Sequence, residues 1–447
     1  MSAKKSVHFV GIGGIGMSAL ARYFKSHGWS VSGSDRVKSN IADELKREGV
    51  QVAIGHKKGN VPSDALVVIS QAITVDNAEV IEARRRHERI LTYPDAIAEI
   101  TEQYKTIAVA GAHGKSTTTA LAALTLIKGG LDPTVIVGTI LREFGNFRHG
   151  RSEYFVLEAD EFGNAFSRYS PAIAIITNID REHLDVYKNL ANIKRAFLEF
   201  MENVSTNGTL ILNRDDKNLQ SLNPAITLLS KKKRLHVIWY SLRDPEVKKI
   251  KHIIKISGEH NLSNATAVYK LGKVLKIPEK KILAAIGLYR GAWRRMEYRG
   301  KLRDATGSAP IFDDYAHHPT EIQATLKAFR ERYPKKRIVC VFQPHQIKRL
   351  EALFKEFTTA FDDADETILL PIYKVAGRDE KPGKFDARML ARAITLKQPK
   401  KLLIYLAEPK RVKRAILSLS AASPLSSKII VMMGAGDIVN LTDSLVS

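Results

Sequence analysis

Nine residues, GAHGKSTTT at 111–119, constrain this chain more than any other stretch. The apolar run TIAVA (106–110) before them reads as a buried strand. STTTALAALTLIKGG, which overlaps their end, reads as a helix with apolar spacing. A strand, a glycine-rich turn and a helix start together make an anion site, because the first backbone N–H groups of a helix have no partner within it. Gly111 and Gly114 permit the tight turn and let a phosphate approach the backbone. Lys115 supplies a point charge for outer phosphates, and Ser116 a hydroxyl for Mg2+. The full phosphate-loop pattern would have its first glycine at 109, where Val109 stands, so the motif is a shortened one.

The rest of the chain must supply the sheets around this turn. At 447 residues it exceeds one ordinary core. With 44% hydrophobic and 26% charged residues it has the composition of a soluble globular protein. No apolar run is long enough to span a bilayer, and the N-terminal MSAKKSVHFVG lacks a signal-peptide layout, so the expected home is the cytoplasm, without membrane insertion. The net charge of +23 suggests acidic partners. Its clusters, among them KKKR (231–234), KKIK (248–251) and KRVKR (410–414), are scattered and not interleaved with aromatics, which argues for solvated faces and against a nucleic-acid groove. The one cysteine, Cys340, lies in the strand-like RIVCVF and reads as a core residue.

Residues 6–35 read as strand, GxGxxG turn (Gly11, Gly13, Gly16), helix and second strand ending at Asp35. Alone this resembles a dinucleotide fingerprint, with an acid about twenty residues on. The glycines themselves say only that a phosphate-bearing ligand approaches a helix start. Further along, YFVLEADE and PAIAIITNIDREHLDVY deliver acids, Asn178, Asp180 and His183 to strand ends, where ligands of open α/β sheets bind. Ser116, Glu158 and His183 are therefore candidate Mg2+ ligands from three strand ends. The basic segment 230–256 reads as hairpin-like edge strands. The helix that follows carries His260, Asn261 and Asn264 at its start, to cap it or to hold a base. Past residue 294, strands alternate with helices, one of them over 347–361, which predicts a third, parallel sheet. An NAD-dependent oxidoreductase fused to a phosphate-loop domain and a nucleic-acid ATPase are the readings of other classes that these motifs leave open.

In this order, GIGGIGMSALA, GAHGKSTTT, EADE, TNIDREHLDVY, GEHNLSNA, RRMEY, DDYAHHPTE, FQPH and MGAGDI resemble the Mur ligases, nearest to the alanine-adding branch. The resemblance covers nearly the whole chain. It implies an α/β protein of three domains: a Rossmann-like domain for the UDP-sugar (1–102), a central ATP-binding phosphate-loop domain with a mixed sheet (103–293), and a Rossmann-like domain for the amino acid (294–447). The implied reaction is ATP-dependent amide formation through an acyl phosphate, with ATP and Mg2+ required and UDP-N-acetylmuramate and L-alanine as substrates. A monomer or weak homodimer without nucleic acid is expected. A relative adding another amino acid or a preformed peptide, of murein-recycling or pseudomurein type, is the neighbouring reading.

Position by position, the resemblance implies catalytic roles for Lys115, Glu158, His183, Arg295 and His317. ATP would be held by Gly111, Ala112, His113, Gly114, Lys115, Ser116 and Thr117, with His260 and Asn261 on the adenine side and Arg295 and Asp314 near the phosphates. Ser116, Glu158 and His183 match the metal positions. Gly11, Gly13, Gly14, Ile15, Gly16, Asp35, Ser70, Asn146 and Arg148 match the UDP-sugar side; Tyr315, His345, Gln346 and Arg349 match the amino-acid side. Three departures stand out: Ala112 replaces a usual Thr, Phe162-Gly163 replace Ser-Asp after EADE, and FQPHQIKR carries Gln346 where the family has Arg.

Overall fold

Short apolar strands alternating with amphipathic helices build three sheets in the computed structural model, which describes residues 5–375, 379, 383–419 and 423–446. The first sheet holds β1 (Ser6–Val10), β2 (Ser30–Asp35), β3 (Gln51–Ile54), β4 (Ala65–Ile69) and β5 (Ile90–Thr92). Their order is β3-β2-β1-β4-β5, every pairing parallel. The second holds β6 (Lys105–Ala110), β7 (Thr134–Leu141), β8 (Gly145–Arg148), β9 (Tyr154–Glu158), β10 (Ile173–Ile176), β11 (Thr209–Asn213) and β12 (His236–Tyr240), ordered β12-β11-β10-β6-β9-β7-β8. Only its β7–β8 pairing is antiparallel among the described residues. The third holds β13 (Glu297–Asp304), β14 (Gly307–Asp314), β15 (Arg337–Phe342), β16 (Glu366–Leu369), β17 (Leu402–Tyr405) and β18 (Lys428–Met433), ordered β13-β14-β18-β15-β16-β17. Strands covered on both faces need apolar side chains throughout, which is why TIAVA, IAII and KIIVMM read as continuous runs.

Two compact units result. The first runs to Asp180 and adds Leu190–Ile253 and Asn264–Tyr289, so it contains the first two sheets. The second gathers Arg181–Asn189, Ile254–Ser263 and Arg290 onward around the third sheet. Two short segments of the sequence-expected central domain, 181–189 and 254–263, thus pack with the C-terminal sheet.

Within the first unit, Asn146 of β8 joins the two sheets. Its amide nitrogen donates to the Ile15 carbonyl and the Ser18 hydroxyl, both at 2.8 Å, and its oxygen accepts from Arg22 at 2.6 Å. A second polar core lies under the first sheet. The Glu79 carboxylate, fully buried, accepts from the Ser34 hydroxyl at 2.5 Å, the Asn60 amide at 2.5 Å and the Lys57 backbone N–H at 3.1 Å, with His8 Nε2 3.5 Å away. Burial pushes its pKa up, but bonds from His8, Ser34, Asn60 and Lys57 outweigh burial and hold it at about 2.

A folded pKa below the unfolded value means stability that is present above pH ~4.5 and fades as pH falls towards 2. Glu79→Gln is therefore expected to destabilise the protein at pH 7 by roughly 2–3 kcal/mol. The gap to wild type should narrow between pH 5 and pH 3. Denaturant unfolding across that range checks it; a gap that does not change with pH would refute the electrostatic account.

Three sequence expectations are corrected. Segment 230–256 is not a hairpin: KKK closes the helix Asn223–Lys233, β12 runs parallel to β11, and Val247–Ile253 is helical. The lysines suit the negative end of a helix, and Arg234 in the left-handed region stops it. The third sheet is mixed rather than parallel, because β13 and β14 form an antiparallel hairpin at its edge. The helix over 347–361 is broken: Ile347–Ala352 and Phe354–Phe357 are separated at Leu353, whose φ of −120° leaves the helical region.

Candidate active site

In the first unit, β6 ends at Ala110 and the helix Lys115–Gly129 begins after a four-residue loop. Gly111 (φ 138°) and Gly114 (φ 84°) take conformations that side chains resist, and a Cβ on Gly111 would fall 2.0 Å from the Thr177 hydroxyl. TNID, after β10, clamps the loop. Asn178 accepts from the His113 N–H and donates to the His113 carbonyl, both at 2.9 Å, while Thr177 donates to that carbonyl at 2.7 Å. His113 Nε2 lies 2.9 Å from the Asp180 carboxylate, and the Asn264 side chain closes on Gly114. The sequence places Asn178 and Asn264 at strand and helix ends but gives no sign that both hold this loop.

Lys115 points back over the loop, donating to the Gly111 carbonyl at 2.7 Å and to Glu161 at 2.8 Å. Burial lowers the lysine's pKa, yet Glu161, Asp160 and Glu158 outweigh it and raise the value, so the ammonium stays charged. Glu161, only 2% exposed, is the partner that sequence reasoning missed; EADE signalled acids without saying which one meets the lysine. Glu158 accepts from the Gly138 N–H at 2.7 Å, and Ser116 and Thr117 lie buried in the first helical turn. Ala112 sits in the loop, its N–H on the Asn178 carbonyl.

The other glycine turn, in the same unit, opens the helix Ile15–Ser26. Gly11 and Ile12 donate to the Ser34 carbonyl, and Gly13 donates to Asp35 at 2.9 Å. Gly14 is the residue before the helix, and Gly16 faces the Tyr93 ring so closely that a Cβ there would come within 2.9 Å of it. Ser70 follows β4 beside Gly11. Asn146 is engaged as described above, and Arg148 bonds Asp132 and the Pro133 carbonyl.

The second unit collects the remaining residues. Asp314, at the end of β14, accepts from the Met296 and Ala316 N–H groups at 2.8 and 2.9 Å and from Thr325 at 3.2 Å, which fixes the turns on either side. Arg294 and Arg295 both lie over the Tyr315 ring, each 5.1 Å from its centre. His317 Nδ1 donates to the Tyr315 carbonyl at 2.9 Å. Burial, helped by Arg349, pushes the His317 pKa down to about 4, so the ring is neutral. Arg349 donates to the His345 carbonyl and to Glu182, both at 3.0 Å, and the His345 ring stacks on Tyr373. Gln346 is buried at φ 70°, unusual for a side-chain-bearing residue, with its N–H on the Tyr373 carbonyl. His183 precedes the short helix Leu184–Tyr187, and Asn261 donates to the Ser257 carbonyl with His260 beside it. Of the three expected metal ligands, Ser116 and Glu158 thus belong to the first unit and His183 to the second.

Three family descriptions match in the same order as the sheets. Residues 6–105 match the Mur ligase family catalytic domain, 109–272 the Mur ligase middle domain, and 294–436 the Mur ligase glutamate ligase domain. The chain belongs to the Mur ligase family. Among Mur ligases, UDP-N-acetylmuramate–L-alanine ligase of Desulforapulum autotrophicum is 38% identical over 98% of this chain and 97% of its own. The enzyme of that name from Aquifex aeolicus is 37% identical over 83% of this chain and 84% of its own. Among solved Mur ligase structures, UDP-N-acetylmuramate-alanine ligase MurC of Thermotoga maritima superposes with a TM-score of 0.79 at 26% identity, covering 99% of this chain and 98% of the other.

Proposed function

We propose that this Mur ligase joins L-alanine to UDP-N-acetylmuramate at the expense of ATP, in peptidoglycan precursor synthesis, through an acyl phosphate. The observation that carries the reading is the clamped phosphate loop with its charged, buried Lys115, in a chain similar over nearly its whole length to alanine ligases. Lys115 would hold the transferring phosphoryl oxygens, and the helix start behind it would add its backbone N–H groups. Gly111–Thr117 would cradle the ATP phosphates, with Arg295, Asp314, His260 and Asn261 on the nucleotide. The GxGxxG turn with Asp35, Ser70, Asn146 and Arg148 would serve the UDP-sugar. His317, Tyr315, His345, Gln346 and Arg349 would serve the acceptor.

Ser116 and Glu158 offer a hydroxyl and a carboxylate, hard oxygen donors that fit Mg2+, with His183 as a third ligand. When bound, the ion would neutralise charge on the phosphates. Among the described residues no helix is long and apolar enough to cross a membrane. A cytoplasmic monomer or weak homodimer fits substrates that are nucleotides and free amino acids.

Mass spectrometry of products from UDP-N-acetylmuramate, ATP, Mg2+ and each of the twenty amino acids tests the reading. ADP release that does not depend on the UDP-sugar would overturn it. Gln346 bears on which amino acid is favoured. A carboxylate prefers the two-pronged charged donor that Arg provides, and here Gln offers one neutral amide. Gln346→Arg is expected to lower the KM for L-alanine by about tenfold or more, in line with one added charged hydrogen bond, without changing that for ATP. An unchanged or raised alanine KM would mean that Gln346 suits a different substrate, which a panel with glycine, L-serine and short peptides would reveal.

A further inference from the structure

We propose that Glu182 anchors the ammonium group of the incoming amino acid and so determines specificity in the acceptor pocket; this rests on the ligase reading above. Arg181, Glu182, His183, Gln346, Lys348 and Arg349 line one pocket of the second unit. Most of its charged groups are cationic, as a carboxylate site requires. Glu182 is the exception, and it is buried, with 6% of its side chain exposed.

The two oxygens of Glu182 are used unequally. Oε2 accepts from Arg349 at 3.0 Å and from the His183 N–H at 3.2 Å. Oε1 is buried and has no hydrogen-bond partner among the described residues. A buried carboxylate oxygen left without a donor is costly.

What faces Oε1 identifies the missing partner. His317 Nε2 lies 4.0 Å away. His317 gives its Nδ1 proton to the Tyr315 carbonyl, and the ring is neutral, so Nε2 presents a lone pair. Two acceptors therefore look at each other across a gap that neither can close. A group with several N–H donors and a positive charge satisfies both at once, and an ammonium has three. In an α-amino acid the ammonium sits one carbon from the carboxylate. With the carboxylate on the Arg349 guanidinium, the ammonium falls on the acid that Arg349 already touches. The pair of Glu182 and Arg349 matches a zwitterion, charge for charge, and discriminates against hydroxy acids and simple carboxylates.

The test uses the full-length enzyme with UDP-N-acetylmuramate, ATP and Mg2+. Alanine KM, ATP KM and inhibition by propionate, which has the carboxylate without the ammonium, are measured for wild type, Glu182→Gln and Glu182→Asp. Glu182→Gln is expected to raise the alanine KM roughly 10- to 100-fold, the effect of one charged hydrogen bond. ATP KM should stay within about twofold and propionate should inhibit as well as before or better, since Arg349 remains; Glu182→Asp, which keeps the charge, should fall between. An unchanged alanine KM would overturn the proposal. So would a matched weakening of alanine and propionate, because Glu182 would then only orient Arg349. Wild-type protein that releases no ADP in response to alanine would instead overturn the ligase reading, and the anchor with it.

Discussion

Lys115→Ala is expected to reduce product formation about 100- to 1000-fold at saturating ATP and Mg2+, the usual effect of removing one preorganised charge from a site where charge develops. Glu158→Ala should lose activity to a similar degree. The lysine has a second consequence, because it is the cation beside the buried Glu161. Leaving a buried carboxylate without its partner typically costs about 3–5 kcal/mol. Loss of activity and loss of fold must therefore be separated. A double variant, Lys115→Met with Glu161→Gln, removes both charges; it should melt close to wild type and remain inactive. Activity within threefold of wild type for Lys115→Ala would sink the assignment.

Glu366→Ala is expected to destabilise the protein by about 3–5 kcal/mol. Lys428, fully buried in β18, donates to both oxygens of Glu366 in β16, at 2.9 and 3.2 Å, and to the Leu419 carbonyl at 2.9 Å. Arg337 adds a bond at 3.0 Å. Removing the carboxylate strands the ammonium in the third sheet, whereas Glu366→Leu with Lys428→Met removes both charges and should recover most of the loss. Chemical denaturation of the three proteins decides it. A single variant as stable as wild type would show that Lys428 is neutralised or hydrated in some other way.

Both examples bear on what could be read from residues alone. The two glycine turns, the alternation of strands and helices, and the identity of Lys115 were legible because each depends on neighbours a few residues apart. Side-chain pairings between distant segments were not. Glu161 meets Lys115 over 46 residues, Glu182 meets Arg349 over 167, and no local pattern distinguishes either acid from its neighbours. The break at Leu353 was hidden for a related reason: the apolar spacing of RLEALFKEFTTAF continues across it, and only the backbone records the interruption. The antiparallel β13 was missed because EYRGKLRD, at the sheet edge, is too polar to look like the strands beside it.

Cys340 offers a use unrelated to catalysis. It is the chain's single thiol, fully buried in β15, and burial suppresses its ionisation. Since the thiolate is the reactive form, an alkylating reagent can reach it only when that strand is exposed. Labelling kinetics of the unaltered protein therefore report opening of the third sheet at one defined atom, with no dye to attach and no competing cysteine to remove.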